Sequence, residues 1–332
     1  MIALVAMATP AWAQWTPVAE VPASIVYSVW AKGDTLLASA DSIVYVSING
    51  GATWKGSAKL ATAVHVVATA QMHNGRIYAG SFGQGVFVSD DLGDTWVGFN
   101  QGLVGGFEDS QLKISEIVIS DNKLHAATGG AGAWRRDLAA GTWHQFGDIF
   151  EPSQASAISS ITVGGTRLLA CAGTNGTVYY RDPGDSDWTE SLLKNVALGP
   201  GTGPFTAIFT GSQWLVGTNT GLYRSAQGQS PWTFENLGFG PQVNVVFALR
   251  SPVVFASFGT SLFDEIEYSL DDGASWQELD SLSGVFVFGL ATHDTTLYAA
   301  RLDGLWRRSV ATVATKPVTW GNLKALYQKP KR

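Results

Sequence analysis

Seven tryptophans recur along the chain at a nearly constant interval. Trp54, Trp96, Trp143, Trp188, Trp232, Trp276 and Trp320 are separated by 42, 47, 45, 44, 44 and 44 residues. Before each comes the same order of features: an apolar run, a turn, a second apolar run rich in small residues, a glycine, and a third run with aromatics. The second runs include Leu36-Leu37-Ala38, Ile77-Tyr78-Ala79 and Leu297-Tyr298-Ala299; the third include Val44-Tyr45-Val46, Val86-Phe87-Val88 and Gly304-Leu305-Trp306. Each repeat therefore offers four short strands, with the tryptophan opening the fourth. A four-stranded unit of about 44 residues is the size of one propeller blade. A closed ring of such units also protects sheet edges that an open stack would expose. The expected fold is all-β, a seven-bladed β-propeller of four-stranded antiparallel blades, with six or eight blades as the alternatives. Trp15, in Gln14-Trp15-Thr16-Pro17, adds an eighth tryptophan strand. One terminal tryptophan strand must close the ring on the other terminus's blade, and the sequence leaves open which.

Composition narrows the setting. Met1 to Ala13 is an apolar run ending in Ala11-Trp12-Ala13, a small-x-small cleavage pattern. Residues 1–13 are therefore expected to be a signal peptide, truncated at its start because a basic n-region is missing. Residues 14–320 are expected to form the propeller and 321–332 a basic tail. The setting implied is secreted, periplasmic or cell-surface, in a bacterium. The single cysteine, Cys171, lies in the apolar run Leu168-Leu169-Ala170-Cys171-Ala172 and reads as a buried small hydrophobe. Net charge is −6, yet residues 309–332 carry five basic groups and no acid, leaving about −11 on the rest. An acidic body argues against a general nucleic-acid binder. No apolar stretch after residue 20 reaches the roughly 20 residues of a membrane span.

Three repeats share a tighter turn. They read Ser47-Ile48-Asn49-Gly50-Gly51-Ala52-Thr53-Trp54, Ser89-Asp90-Asp91-Leu92-Gly93-Asp94-Thr95-Trp96 and Ser269-Leu270-Asp271-Asp272-Gly273-Ala274-Ser275-Trp276. The Asn or Asp can accept backbone N–H bonds inside the hairpin. The glycine supplies a positive φ, and the tryptophan covers the hairpin. This pattern resembles the Asp-box, or BNR repeat, of the sialidase-like propellers. The resemblance implies a structural role on outer hairpins for Ser47, Asn49, Gly51 and Trp54, for Ser89, Asp91, Gly93 and Trp96, and for Ser269, Asp271, Gly273 and Trp276. The turns from Arg136 to Trp143, Arg181 to Trp188 and Ser225 to Trp232 keep the tryptophan and little else.

A sialidase-like active site would need an arginine cluster, a Tyr–Glu pair and an Asp acid/base near the axis. The family's early Arg-Ile-Pro motif is absent; Arg76-Ile77-Tyr78 lacks the proline. Among the first apolar runs, which should line the axis, only Glu116 and His65 ionise near neutral pH. Two-carboxylate glycoside hydrolysis needs a facing pair of acids, so Glu116 with Glu108 or Glu151, from the loops before repeats 3 and 4, is the catalytic constellation to test. The five histidines are scattered without metal spacing, and no metal or cofactor is expected. Asp264-Glu265-Ile266-Glu267 reads as a solvated acidic insertion, and Arg135, Arg136 and Arg181 as solvated or paired with acids.

In a four-stranded blade, the inter-blade loops share a face with the turns between strands two and three, opposite the box turns. The long inter-blade loops carry Phe107, Phe146, Phe150 and Phe239, candidate binding aromatics on a rigid ring. The function expected is a non-enzymatic exported scaffold, monomeric, that binds an unknown protein or glycan. The alternative is a divergent sialidase-superfamily glycoside hydrolase or lyase.

Overall fold

A computed structural model describes residues 14–22, 25–61, 66–104, 111–146, 156–172, 177–193, 204–218, 221–235, 243–250, 253–260, 263–283, 285–311 and 313. Its strands form seven four-stranded antiparallel blades around an axis. The innermost strands are Ser28–Lys32, Val67–His73, Ile114–Ser120, Ser156–Gly164, Pro204–Phe209, Val243–Arg250 and Val287–His293, for blades 1 to 7 in order.

Ring closure, left open by the sequence, is decided by the N-terminus. Thr16–Pro17 pairs with Gly304–Ser309, Thr16 opposite Arg307 and Pro17 opposite Trp306, and so becomes the outermost strand of blade 7. Val18 N–H then bonds Leu305 O at 2.8 Å and Val26 N–H bonds Arg301 O at 3.0 Å, carrying the chain from blade 7 into blade 1. Trp15 thus stands where the repeat calls for a tryptophan. Trp320 and the basic tail lie outside the described residues, as do residues 1–13.

The tryptophans explain the cohesion of the ring. A separate apolar cluster fills each junction between neighbouring blades, and each contains one ladder tryptophan packed against the blade before its own. Four of the indoles also donate across the junction. Trp96 Nε1 bonds Ala58 O at 3.1 Å, Trp143 bonds Phe99 O at 2.6 Å, Trp188 bonds Phe146 O at 2.5 Å, and Trp232 bonds Ser191 Oγ at 2.9 Å. Each acceptor lies three or four residues beyond the preceding blade's tryptophan. A fixed spacing therefore does two jobs: it sets blade size and hooks each blade to its neighbour. Cys171 is fully buried in the junction of blades 4 and 5, and burial pushes its thiol up to about 12.

The three tight turns behave alike. Ser89 Oγ donates to Asp91 Oδ1 at 2.8 Å and accepts from Gly93 N–H at 2.8 Å, while Asp91 accepts from Thr95 N–H and Oγ1 at 2.9 and 2.6 Å. The same bonds recur at Ser269, Asp271, Gly273 and Ser275, and at Ser47, Asn49, Gly51 and Thr53 in amide form. These bonds hold the Asp91 carboxyl down at about 2. Gly93 has φ +91°, and the residue before it, Leu92, is also left-handed at +55°. The glycine was legible as a turn residue; its left-handed predecessor was not.

Blades 3 and 4 depart from the repeat. Gly129 and Gly130 extend the second strand of blade 3 and pair with Ala157 and Ser156 of blade 4. Two blades are joined there into one sheet.

Candidate functional site

The innermost strands share a device that shapes the axis. Six of the seven carry a β-bulge at the same register position, after Val67, Ile114, Ile158, Pro204, Val243 and Val287. A bulge re-aims the side chains around it. The residue resuming the register is Thr69, Glu116, Ser160, Thr206, Val245 or Gly289. Glu116 is the one acid in a position otherwise given to small or uncharged side chains.

These strands enclose an axial cavity of about 540 Å³. Its wall mixes hydroxyls and amides, such as Ser28, Thr69, Gln71 and Thr162, with apolar groups such as Val29 and Ile208. Among the described residues, Glu116 is the only carboxylate in the wall, and no arginine is there. Its Oε2 accepts Ile161 N–H from blade 4 at 2.9 Å. It lines the cavity, and desolvation by burial outweighs that hydrogen bond and raises its carboxyl from 4.5 to about 7. Gln71 and Thr162 make comparable hooks between neighbouring blades: Gln71 Nε2 to Ile117 O at 2.8 Å, and Thr162 Oγ1 to Ala207 O at 2.8 Å. Glu116 therefore has a structural task beside any chemical one.

The cavity's mouth on the inter-blade-loop face carries an aromatic group. Tyr27 and Phe288 meet at 5.6 Å between ring centroids, and Phe288 meets Phe286 at 5.0 Å. Leu302 N–H bonds Phe286 O at 2.9 Å, which sets the 46% exposed Leu302 beside them. Phe82, on the corresponding turn of blade 2, is 57% exposed. The sequence held these residues in the first runs of blades 1 and 7, but their meeting depends on ring closure.

The sequence-predicted residues fall out as follows. Phe146 is not a surface aromatic: it is 5% exposed, packed in the junction of blades 3 and 4 against Trp188 at 5.7 Å and His125 at 5.3 Å. Its position three residues after Trp143 makes it part of the tryptophan hook rather than of a loop. Glu108, Glu151, Phe107, Phe150 and Phe239 lie outside the described residues, as does His65. The box residues sit on outer hairpins, on the face opposite the aromatic mouth. The arginines do not simply pair with acids. Arg136 lies over the Phe99 ring at 3.5 Å, and Arg135 and Arg181 lie over Phe146 at 4.2 and 3.8 Å. Glu267 faces Glu278 across a strand pair with Glu265 close by, and burial with these like charges raises it to about 7. Among the described residues no three His, Cys, Asp or Glu side chains gather as a metal site, and no helix is long and apolar enough to cross a membrane.

No protein-family model and no curated protein matches the sequence. Solved structures do, as β-propellers. The chain is similar to YCF48 bound to D1 peptide, with 11% identity, TM-score 0.70, and 91% and 98% of the two chains covered. It is similar to virginiamycin B lyase from Staphylococcus aureus, with 11% identity, TM-score 0.72, and 89% and 98% covered. It is also similar to the extracellular domain of BT4673 from B. thetaiotaomicron, with 10% identity, TM-score 0.68, and 90% and 40% covered. At such identities the likeness is one of fold.

Proposed function

We propose that this chain is an exported, non-enzymatic propeller of the BNR type that binds a protein or glycan on its inter-blade-loop face. The observation that carries the reading is the aromatic group Tyr27, Phe286 and Phe288 at the mouth of a cavity whose wall mixes uncharged polar groups with apolar ones. Aromatic anchors on a rigid frame bind with little conformational cost. Phe107, Phe150 and Phe239 remain candidates for the same face. The apolar run of residues 1–13 supports export, and the extracellular and surface propellers among the structural neighbours agree with it. A neighbour solved with a peptide bound supports the use of this fold for binding. The three repeated boxes support a BNR assignment.

The hydrolase reading retains one specific support, the raised pKa of Glu116, together with a lyase among the neighbours. Against it, Glu116 is already bonded to Ile161 N–H, and no described carboxylate faces it across the cavity.

The test is a glycan microarray and a peptide panel probed with the purified chain and with the variant Tyr27→Ala/Phe288→Ala. A ligand whose binding weakens at least tenfold in the variant supports the proposal. Glycan cleavage abolished by Glu116→Gln, Glu108→Gln or Glu151→Gln would overturn it.

A further inference from the structure

The junction of blades 3 and 4 opens, on the face of the box turns, into a second cavity of about 210 Å³. Its wall includes Lys123, His125, Arg135 and Arg181, with Phe146 between them. Strand pairing builds this cluster. His125 lies opposite Arg135, and Arg135 opposite His144, forming one cross-strand row on blade 3. Arg181 is supplied by the third strand of blade 4, opposite Leu168, which also lines the cavity. Arg135 and Arg181 both stack on the Phe146 ring, so one aromatic holds two guanidiniums at a fixed separation.

The acids nearby are mostly committed elsewhere. Asp182 lines the cavity but is held bidentately by Arg167, at 2.7 and 2.6 Å. Asp137 lies 3.9 Å from Lys123, and Asp121 lines the rim. Asp185 gives Arg181 its backbone carbonyl, and the charges of Asp187 and Asp185 act on it. Among the described residues, Arg135 meets His144 Nε2, at 3.3 Å.

Two buried polar nitrogens in the wall are left over among the described residues. His125 is 3% exposed and its Nδ1 has no hydrogen-bond partner; Nη1 of Arg181 is likewise enclosed and without one. Buried polar atoms without partners are uncommon and call for a ligand or water. The electrostatics agree: burial first, then Arg135, Lys123 and Arg181, hold the His125 imidazole down to about 3. A field of that sign around a buried ring is what a bound anion would relieve.

We propose that the cleft between blades 3 and 4 binds an oxyanion group, phosphate or carboxylate, held by Arg135, Arg181 and Lys123 with His125 behind it. Planar guanidiniums suit both chemistries. The site is on the face opposite the proposed binding mouth, so the two proposals stand or fall separately.

The experiment is thermal unfolding of the full chain, with inorganic phosphate, sulfate and acetate titrated against sodium chloride at matched ionic strength. Phosphate or acetate should raise Tm in a saturable way, and whichever acts at the lower concentration distinguishes a phosphate ligand from a carboxylate one. Arg135→Gln/Arg181→Gln should weaken the effect at least tenfold, while Arg76→Gln, at an exposed ion pair on blade 2, should leave it unchanged. Lys123→Gln, at a half-buried side chain, serves if the double variant does not fold, with a loss of at least threefold expected. In NMR of the wild-type chain, the His125 ring resonances should move with phosphate or acetate and not with chloride. If none of the three anions stabilises the protein beyond chloride, or the His125 signals do not move, the site does not exist.

Discussion

Replacing Glu116 by Gln should make the protein's stability less dependent on pH, in a direction opposite to ordinary acid denaturation. A carboxyl raised from 4.5 to about 7 on folding keeps its proton in the folded chain after the unfolded chain has lost it. Its contribution is therefore fully favourable below pH 4.5 and is lost as pH rises toward 7. Above that the folded chain holds a desolvated carboxylate. At 1.36 kcal/mol per pKa unit the whole effect is at most about 3.4 kcal/mol. Discounted for contact with the cavity and for starting at pH 5, about 2 kcal/mol should be lost between pH 5 and pH 8.5. Gln has the same shape, and its amide oxygen can still accept Ile161 N–H, so it removes the ionisation and keeps the hook. The assay is urea unfolding of both proteins at pH 5 and 8.5. The relevant quantity is the difference between proteins at each pH, because His125 and the exposed carboxylates titrate alike in both and cancel. The variant should be close to wild type at pH 5 and about 2 kcal/mol more stable at pH 8.5. A difference that stays constant across this range would mean that Glu116 ionises freely, and that the cavity is wet and open rather than desolvating.

Three further outcomes follow from the ring's construction. Trp188→Phe removes the indole N–H that bonds Phe146 O and leaves that carbonyl without its donor, so a loss of about 1–3 kcal/mol is expected in urea unfolding. Gly93→Ala puts a Cβ 2.6 Å from Ser57 Cβ at φ +91°, and should cost about 1–3 kcal/mol, while the same change at Gly75, where φ is +79° but nothing lies within 4 Å, should cost less. Removing Gln14 to Pro17 strips the outermost strand from blade 7; Tm should fall by several degrees, as for a loss of about 2 kcal/mol, and an unchanged Tm would mean that another segment can close the ring.

The candidate site was only partly legible in the sequence. Glu116 could be placed on an axial strand because its run is the first of its repeat. That it alone breaks a ring of small uncharged residues became visible only when the bulges aligned the six strands. Phe146 was misread because an aromatic after a tryptophan strand looks the same whether it turns outward to solvent or back into a junction. Its ring faces Trp188, which is 42 residues later in the chain, and no local pattern records that contact. Arg135 and Arg181 read as solvated or paired with acids, yet both guanidiniums lie over the Phe146 ring.

The sequence by itself determined the blade: its length, its four strands, the tryptophan opening the fourth, and the Ser–Asp–Gly turn whose hydrogen bonds are local to eight residues. These are short-range matters, set by alternation, turn chemistry and spacing, so they repeat wherever the pattern repeats. The tertiary structure decided everything that depends on which blades meet. It chose Thr16–Pro17 to close the ring, brought Tyr27 beside Phe288 across that closure, and set Arg181 against His125 across the junction of blades 3 and 4. The physical reason is that a propeller's blades are similar enough to be read one at a time, whereas its cavities lie between blades, where side chains far apart in the chain share one volume.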